Sequence, residues 1–332
     1  MKIMPYAVLS AFIFCLSQSN AVAEIEDTIH ESFSVHPGGT LTLQSDLGSI
    51  EVLATESTQV TVDVIRKVKV GSRKAAAEIL EEFEITFDQD GDNVNIIAKY
   101  PPRHERLFGF GSDKLQVHYV IHVPTEYNLD LQTSGGSITV DSLKGYVKAE
   151  TSGGSLRFGK IDGPVLGKTS GGSITLEGCV GDADISTSGG SISIGDVTGN
   201  VDASTSGGSV KIDHVKGRVD ASTSGGGIHV EEALGAVNAE TSGGSIYARL
   251  GQQPEGDCRL TTSGGGVEVH LSSDIKVDLD AGTSGGHVNT DFDVTVTVRG
   301  SIDKSHLQGT INGGGPLLFL RSSGGSINIR KM

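Results

Sequence analysis

From residue 133 onward, apolar and polar residues alternate in short runs broken by glycine. In Thr133–Asp141, TSGGSITVD, Ile138 and Val140 are apolar while Ser137, Thr139 and Asp141 are polar. The next nine residues, Ser142–Glu150 (SLKGYVKAE), repeat the form with Val147 and Ala149. Alternation with a period of two marks a strand that buries one face. Each run of nine carries glycine at its fourth place, which suits a tight turn with positive φ. Two such runs make a unit of two short strands and two turns.

The unit recurs. Thr-Ser-Gly-Gly starts at Thr133, Thr151, Thr169, Thr187, Thr205, Thr223, Thr241, Thr262 and Thr283, stepping by 18 residues six times and by 21 twice. A degenerate copy, Ser322-Ser-Gly-Gly-Ser-Ile, follows near the end. Such a period predicts stacked coils about 4.8 Å apart. A left-handed hexapeptide helix also closes a coil in about 18 residues, but its apolar spacing repeats every six. Here the spacing repeats every nine, which favours a flattened two-sheet solenoid. The first strand supplies inward columns headed by Ile138 and Val140, and the second supplies Val147, Val165, Ala183, Val201, Val219 and Val237. Phe158 is the largest residue of these columns, and small residues such as Gly167, Ala203 and Ala221 lie beside the second-strand column. A corner column runs Leu143, Ile161, Cys179, Val197, Val215, Ala233. The predicted fold class is all-β: a β-solenoid of about 18 residues per coil with a β-rich N-terminal cap containing one short helix.

The ends depart from this rhythm. Strands are expected at Thr40–Gln44, Ser49–Leu53, Gln59–Val68, Asn93–Ala98 and Leu115–Val123. A helix is expected over Arg73–Phe83, capped by Ser72, and a hairpin turn at Asp90-Gly91. The division is 1–23 as a signal peptide, 24–130 as the cap region and 131–332 as the TSGG-repeat solenoid. After Thr283 the repeat loosens, and Val294–Val298 leads to a final half coil, Gly324–Arg330, whose closing Arg330-Lys331 would protect an edge.

Composition narrows the function. Lys2, an apolar run from Tyr6 to Leu16 and Ala21-Val22-Ala23 read as an export signal. The protein is then expected in the periplasm or outside the cell. Bulky Ile13 and Phe14 before Cys15 disfavour lipid attachment there. The formal net charge of −15 argues against nucleic acid as a partner. No later apolar run is long enough for a membrane span. Cys179 and Cys258 fall four coils apart, roughly 19 Å, too far for a disulfide, and read as small buried hydrophobes.

An export signal, a β-rich lead and TSGGSI-type coils together resemble the bacterial family DUF4097, labelled "putative adhesin". The resemblance covers essentially the whole chain after the signal. It implies an envelope or secreted β-solenoid with no catalytic residues to carry over.

The candidate chemistry is therefore on the surface. Asp184, Asp202 and Asp220 occupy one outward place in consecutive coils, continued by Asn238. Carboxylates at this spacing repel, so the column is a candidate face for cations or a cationic ligand, or a solvated face that deters aggregation. Ser137, Ser155, Ser173, Ser191 and Ser209 form another outward column. Thr139, Arg157, Thr175, Ser193, Lys211, His229 and Tyr247 form the next, too mixed for ice binding and suited to glycan or protein contact. Calcium-roll chemistry is disfavoured, because Ile138 stands where Asp would be required. Asp88–Asp92 reads as a hairpin turn rather than a calcium loop. His118 and His122 are about 13 Å apart on a strand, too far to share a metal. The segment 100–110, YPPRHERLFGF, gathers Tyr100, Leu107, Phe108 and Phe110 into a candidate partner loop. The reading is a non-enzymatic, adhesin-like binding or scaffold protein that needs no cofactor and meets a glycan or protein surface. The alternatives are a polysaccharide-acting enzyme, or an envelope-stress accessory protein that holds a membrane partner through its cap.

Overall fold

The computed structural model describes residues 23–70, 72–100, 115–296 and 304–332. The proposed export signal before Ala23 lies outside them. Alternating side chains leave each nine-residue run with one apolar edge, and burying that edge against the opposite run produces two facing sheets of 15 strands each. Within a sheet, each repeat strand pairs in parallel with the strand 18 residues on. Ile192 lies beside Val210 and Ile194 beside Ile212 in one sheet, while Val201 lies beside Val219 in the other. The repeat length is thus the ladder register, and every inward column predicted from the repeat is buried. Phe158 packs where Gly167 has no side chain: a Cβ there would sit 3.0 Å from Phe158 Cε2. Cys179 and Cys258 are free and buried, and burial pushes the Cys179 thiol up to about 11.

The turns correct one expectation. The glycines of the TSGG motif do not have positive φ; that conformation belongs to Gly145 (146°) and Gly181 (128°) in the second turn, and to Gly48 (114°). The second glycine of each motif is required by close approach instead. A Cβ on Gly190 would meet Gly172 O of the preceding coil at 2.2 Å. The adjacent threonine anchors the same step, since Thr205 Oγ1 donates to Gly190 O at 2.7 Å.

The stack begins earlier than the TSGG rhythm. Thr40–Ser45 and Ser49–Thr55 form a coil against Asn128–Thr133 and Ile138–Val140, with Ser45 opposite Thr133 and Ile50 opposite Ile138. Residues 45–50, SDLGSI, are a worn TSGGSI. The chain then leaves the stack to build the cap. Leu115–Pro124, Gln59–Val70 and Ala23–Ser34 extend one sheet, while the hairpin of Asn93–Lys99 and Glu84–Asp90 extends the other. The helix Arg73–Glu81 starts at Ser72, whose hydroxyl accepts from Ala75 N, and buries Ala76 and Ile79.

The C-terminus also departs from expectation. Leu317–Ser322 and Ile327–Lys331 form a full coil, not a half coil, and that coil is not terminal in space. It inserts between the coil of Cys258–Thr262 and Val267–Leu271 and the coil of Val277–Thr283 and Val288–Thr290. Arg330 and Lys331 therefore do not guard an edge; Arg330 pairs with Asp291 at 3.0 Å. The outermost strands at this end are the short Val288–Thr290 and Val294–Thr295. Residues 297–298 of the expected strand lie outside the described residues.

Candidate functional site

The second-strand sheet turns the Asp184, Asp202 and Asp220 column outward in strict register, followed by Asn238. Its ends are partnered. Lys168 Nζ lies 3.9 Å from Asp184, Arg218 donates to Asp220 at 2.7 Å, and Asn238 Nδ2 donates to Asp220 at 3.0 Å. Among the described residues, Asp202 sits between with no such partner. Partial burial, then the charges of Asp184 and Asp220, raise its pKa. Parallel strands hold these carboxylates side by side rather than converging. Among the described residues, no group of three or more His, Cys, Asp or Glu is placed to hold a metal ion. Beside the column, Ser186, Ser204 and Ser222 line a shallow groove of about 510 Å³ with Ser188, Ser206 and Ser224.

The first-strand sheet carries the serine column and the mixed column next to it. Here the serines are partly structural, since Ser209 N donates to Ser191 Oγ at 3.2 Å. A second open groove, about 580 Å³, runs along the C-terminal half of this face and includes Gly227, Ser245, Tyr247 and Glu268 in its lining. The Tyr247 ring stacks on His229 with centroids 4.5 Å apart and planes 8° apart. His270 lies at 5.2 Å and 46° from Tyr247. Sequence reasoning placed Tyr247 in its column but did not single out this groove. The available signal was the change from TSGGS to TSGGG at Gly227 and Gly266.

The remaining candidates resolve into local structure. Asp92, in the Asp90-Gly91 hairpin, accepts from His36 N at 2.8 Å and pairs with the His36 ring, which lowers its pKa. His118 pairs with Ser49 at 2.7 Å and Glu51 at 3.3 Å, whereas His122 pairs with Thr61. Tyr100 packs partly buried against the core, and its N–H donates to Asp46. Leu107, Phe108 and Phe110 lie outside the described residues. No helix of the described residues is long and apolar enough to cross a membrane.

Comparison with known proteins adds a family. The family profile described as Toastrack DUF4097 matches residues 39–330, from the first coil to the last. No curated protein matches the chain. Among solved structures, a protein of Parabacteroides merdae described as "a putative adhesin" is 11% identical, with 92% of this chain and 96% of that chain covered and a TM-score of 0.39. One of Parabacteroides distasonis, described as "putative lipid binding protein", is 13% identical over 91% and 96%, with a TM-score of 0.35. A "putative adhesin" of Bacteroides fragilis is 12% identical over 92% and 97%, with a TM-score of 0.30.

Proposed function

This chain belongs to the Toastrack DUF4097 family, and from that premise we propose that it is a non-enzymatic, exported binding protein that presents its solenoid faces to an extended polar ligand in the envelope or outside the cell. The observation that carries this reading is the register. Asp184, Asp202 and Asp220 on one face, and Ser155, Ser173, Ser191 and Ser209 on the other, repeat at every coil with no loop between them. A rigid ladder of equivalent polar groups engages a repetitive partner through many weak contacts, each adding effective concentration to the next. The same short turns argue against an enzyme. A coil of 18 residues spends its length on two strands and two turns, leaving no long inserted loop to close over a groove and exclude water.

The test is binding of labelled protein to bacterial surfaces and to immobilised polysaccharides, with reducing ends assayed in parallel. Saturable binding without release of reducing sugar is expected. Absence of saturable binding to any surface would overturn the binding reading, and steady release of reducing ends would replace it with the enzymatic one.

A further inference from the structure

The outward fifth place of the repeat is serine from Ser137 to Ser209, and glycine interrupts it at Gly227 and Gly266, on either side of Ser245. At both glycines the ladder keeps its ordinary spacing, with Val210 N to Gly227 O and Ile246 N to Gly266 O both 3.0 Å, but the outward side chain is missing. A Cβ on Gly227 would come within 2.9 Å of Ser245 O, and one on Gly266 within 2.8 Å of Ser326 O. The result is a floor whose serine row is broken at Gly227 and Gly266, and this is where the first-strand face forms its groove. The wall alongside holds His229, Tyr247 and Glu268. Because its ring is stacked on His229, Tyr247 is fixed in place before any ligand arrives. Its hydroxyl makes no hydrogen bond among the described residues. Asn328, at one end of the groove, uses its Oδ1 to accept from Asn289, and its side-chain N–H groups make no hydrogen bond among the described residues. Ser245 Oγ accepts from Gly266 N and retains its own proton to donate.

Two further observations select the ligand. The charged groups here already have partners within the face: Lys211 pairs with Asp213 at 2.8 Å and Arg249 with Glu231 at 2.8 Å, while Glu231 lies 3.0 Å from the His229 ring and Glu268 2.7 Å from the His270 ring. An ionic ligand would have to break pairs already made. The strands under the groove also have neighbours on both sides, so an extended peptide finds no free ladder to join. A sugar chain needs neither a countercharge nor a strand edge. Its ring faces can lie on the glycine floor and against the Tyr247 edge, and its hydroxyls can meet Tyr247, Ser245, Glu268 and Asn328. A pyranose ring is about as long as the coil spacing of about 4.8 Å, so successive rings fall on successive coils. We propose that this groove binds a linear, uncharged oligosaccharide laid along the solenoid axis. The proposal rests on the binding-protein reading and names its site and ligand class.

The test is calorimetric titration of the full protein with the hexaoses of the cello, xylo, manno, laminari and malto series. At least one is expected to bind, with an affinity unchanged by added salt and unchanged in Glu150→Gln on the opposite sheet. Tyr247→Ala is expected to weaken binding at least about tenfold, and Ser245→Gln, which fills the floor, to abolish it. Melting curves confirm that each variant is folded, and a variant that does not fold is replaced by Asn328→Ala. Equal binding by wild type and Tyr247→Ala would remove the site while leaving a sugar-binding protein. Failure of all five series at millimolar concentration would overturn the inference, and the surface-binding assay then decides the broader reading by itself. If a hexagalacturonide titrated in parallel binds, loses its affinity in salt and is matched by none of the neutral series, the uncharged-ligand assignment is overturned.

Discussion

At the scale of the residue, the motif threonine does more for the stack than its modest size suggests. Each is at least nine-tenths buried, and each from Thr151 to Thr283 uses its hydroxyl twice. Thr205 donates to Gly190 O of the preceding coil at 2.7 Å and accepts from Gly208 N at 3.4 Å. Thr205→Val keeps the shape and removes both bonds, leaving the part-buried Gly190 O and Gly208 N–H without these partners. We expect a loss of about 1–3 kcal/mol in urea unfolding. Thr205→Ser should cost clearly less, because Ser322 fills the same role naturally, donating to Gly265 O at 2.7 Å. Equal losses for Val and Ser would mean that methyl packing, not the hydroxyl, secures the step. The threonines could be placed by sequence, since their period is unmistakable. The close approach that fixes the neighbouring glycines could not, because a steric contact with the coil below leaves the same letter as a positive-φ turn.

At the scale of the element, a column has properties that its members lack. Asp202 is protonated more readily than an isolated aspartate because partial burial and two flanking carboxylates disfavour its charge. A raised folded pKa means that the native state holds the proton more tightly than the unfolded chain. Stability from this group is therefore greatest at low pH and falls as pH rises through the window above the unfolded value of about 3.9. Asp202→Asn is expected to raise the melting temperature at pH 7 and to bring little or no gain at pH 4, and salt should shrink the difference at pH 7. A gain of the same size at both pH values would show that repulsion is not its source. The column's register was legible in the sequence, because it follows from the repeat. Its partners were not, because Lys168 and Arg218 reach Asp184 and Asp220 from neighbouring positions that no period specifies. The inserted C-terminal coil was hidden for a related reason. Parallel pairing is blind to chain order, and Ser322–Ile327 fits any gap in the stack. Insertion yields an expectation of its own. Termini usually fray, yet Leu318, Leu320, Ile327 and Ile329 are fully buried between two coils. Amides of Leu317–Lys331 should exchange more slowly than those of Val288–Thr295, which precede them in sequence but lie at the end of the stack. Faster exchange at the C-terminus would contradict the insertion.

At the scale of the molecule, stability is a sum over neighbouring coils, since each central coil touches only the one before and the one after. One whole unit should therefore be dispensable while half a unit is not. Deleting residues 188–205 joins Thr187 to Ser206 and restores a TSGG at the junction. Ile174 and Leu176 would then stack on Val210 and Ile212, and Ala183 and Ile185 on Val219 and Ala221, all residues that already face the core. Every buried column stays apolar, and the cap and the inserted C-terminal coil are untouched. The shortened protein is expected to fold with unchanged circular dichroism per residue and to unfold cooperatively at a slightly lower temperature. Deleting only residues 188–196 sends every later strand to the opposite sheet. The turns that need close approach at Gly208 and Gly226 would then face the second-strand geometry of the coils before the deletion. That variant should be insoluble or unfolded. If instead both deletions fold equally well, the two sheets are interchangeable, and the register that places Tyr247 and Asp202 on opposite faces is not fixed by the repeat.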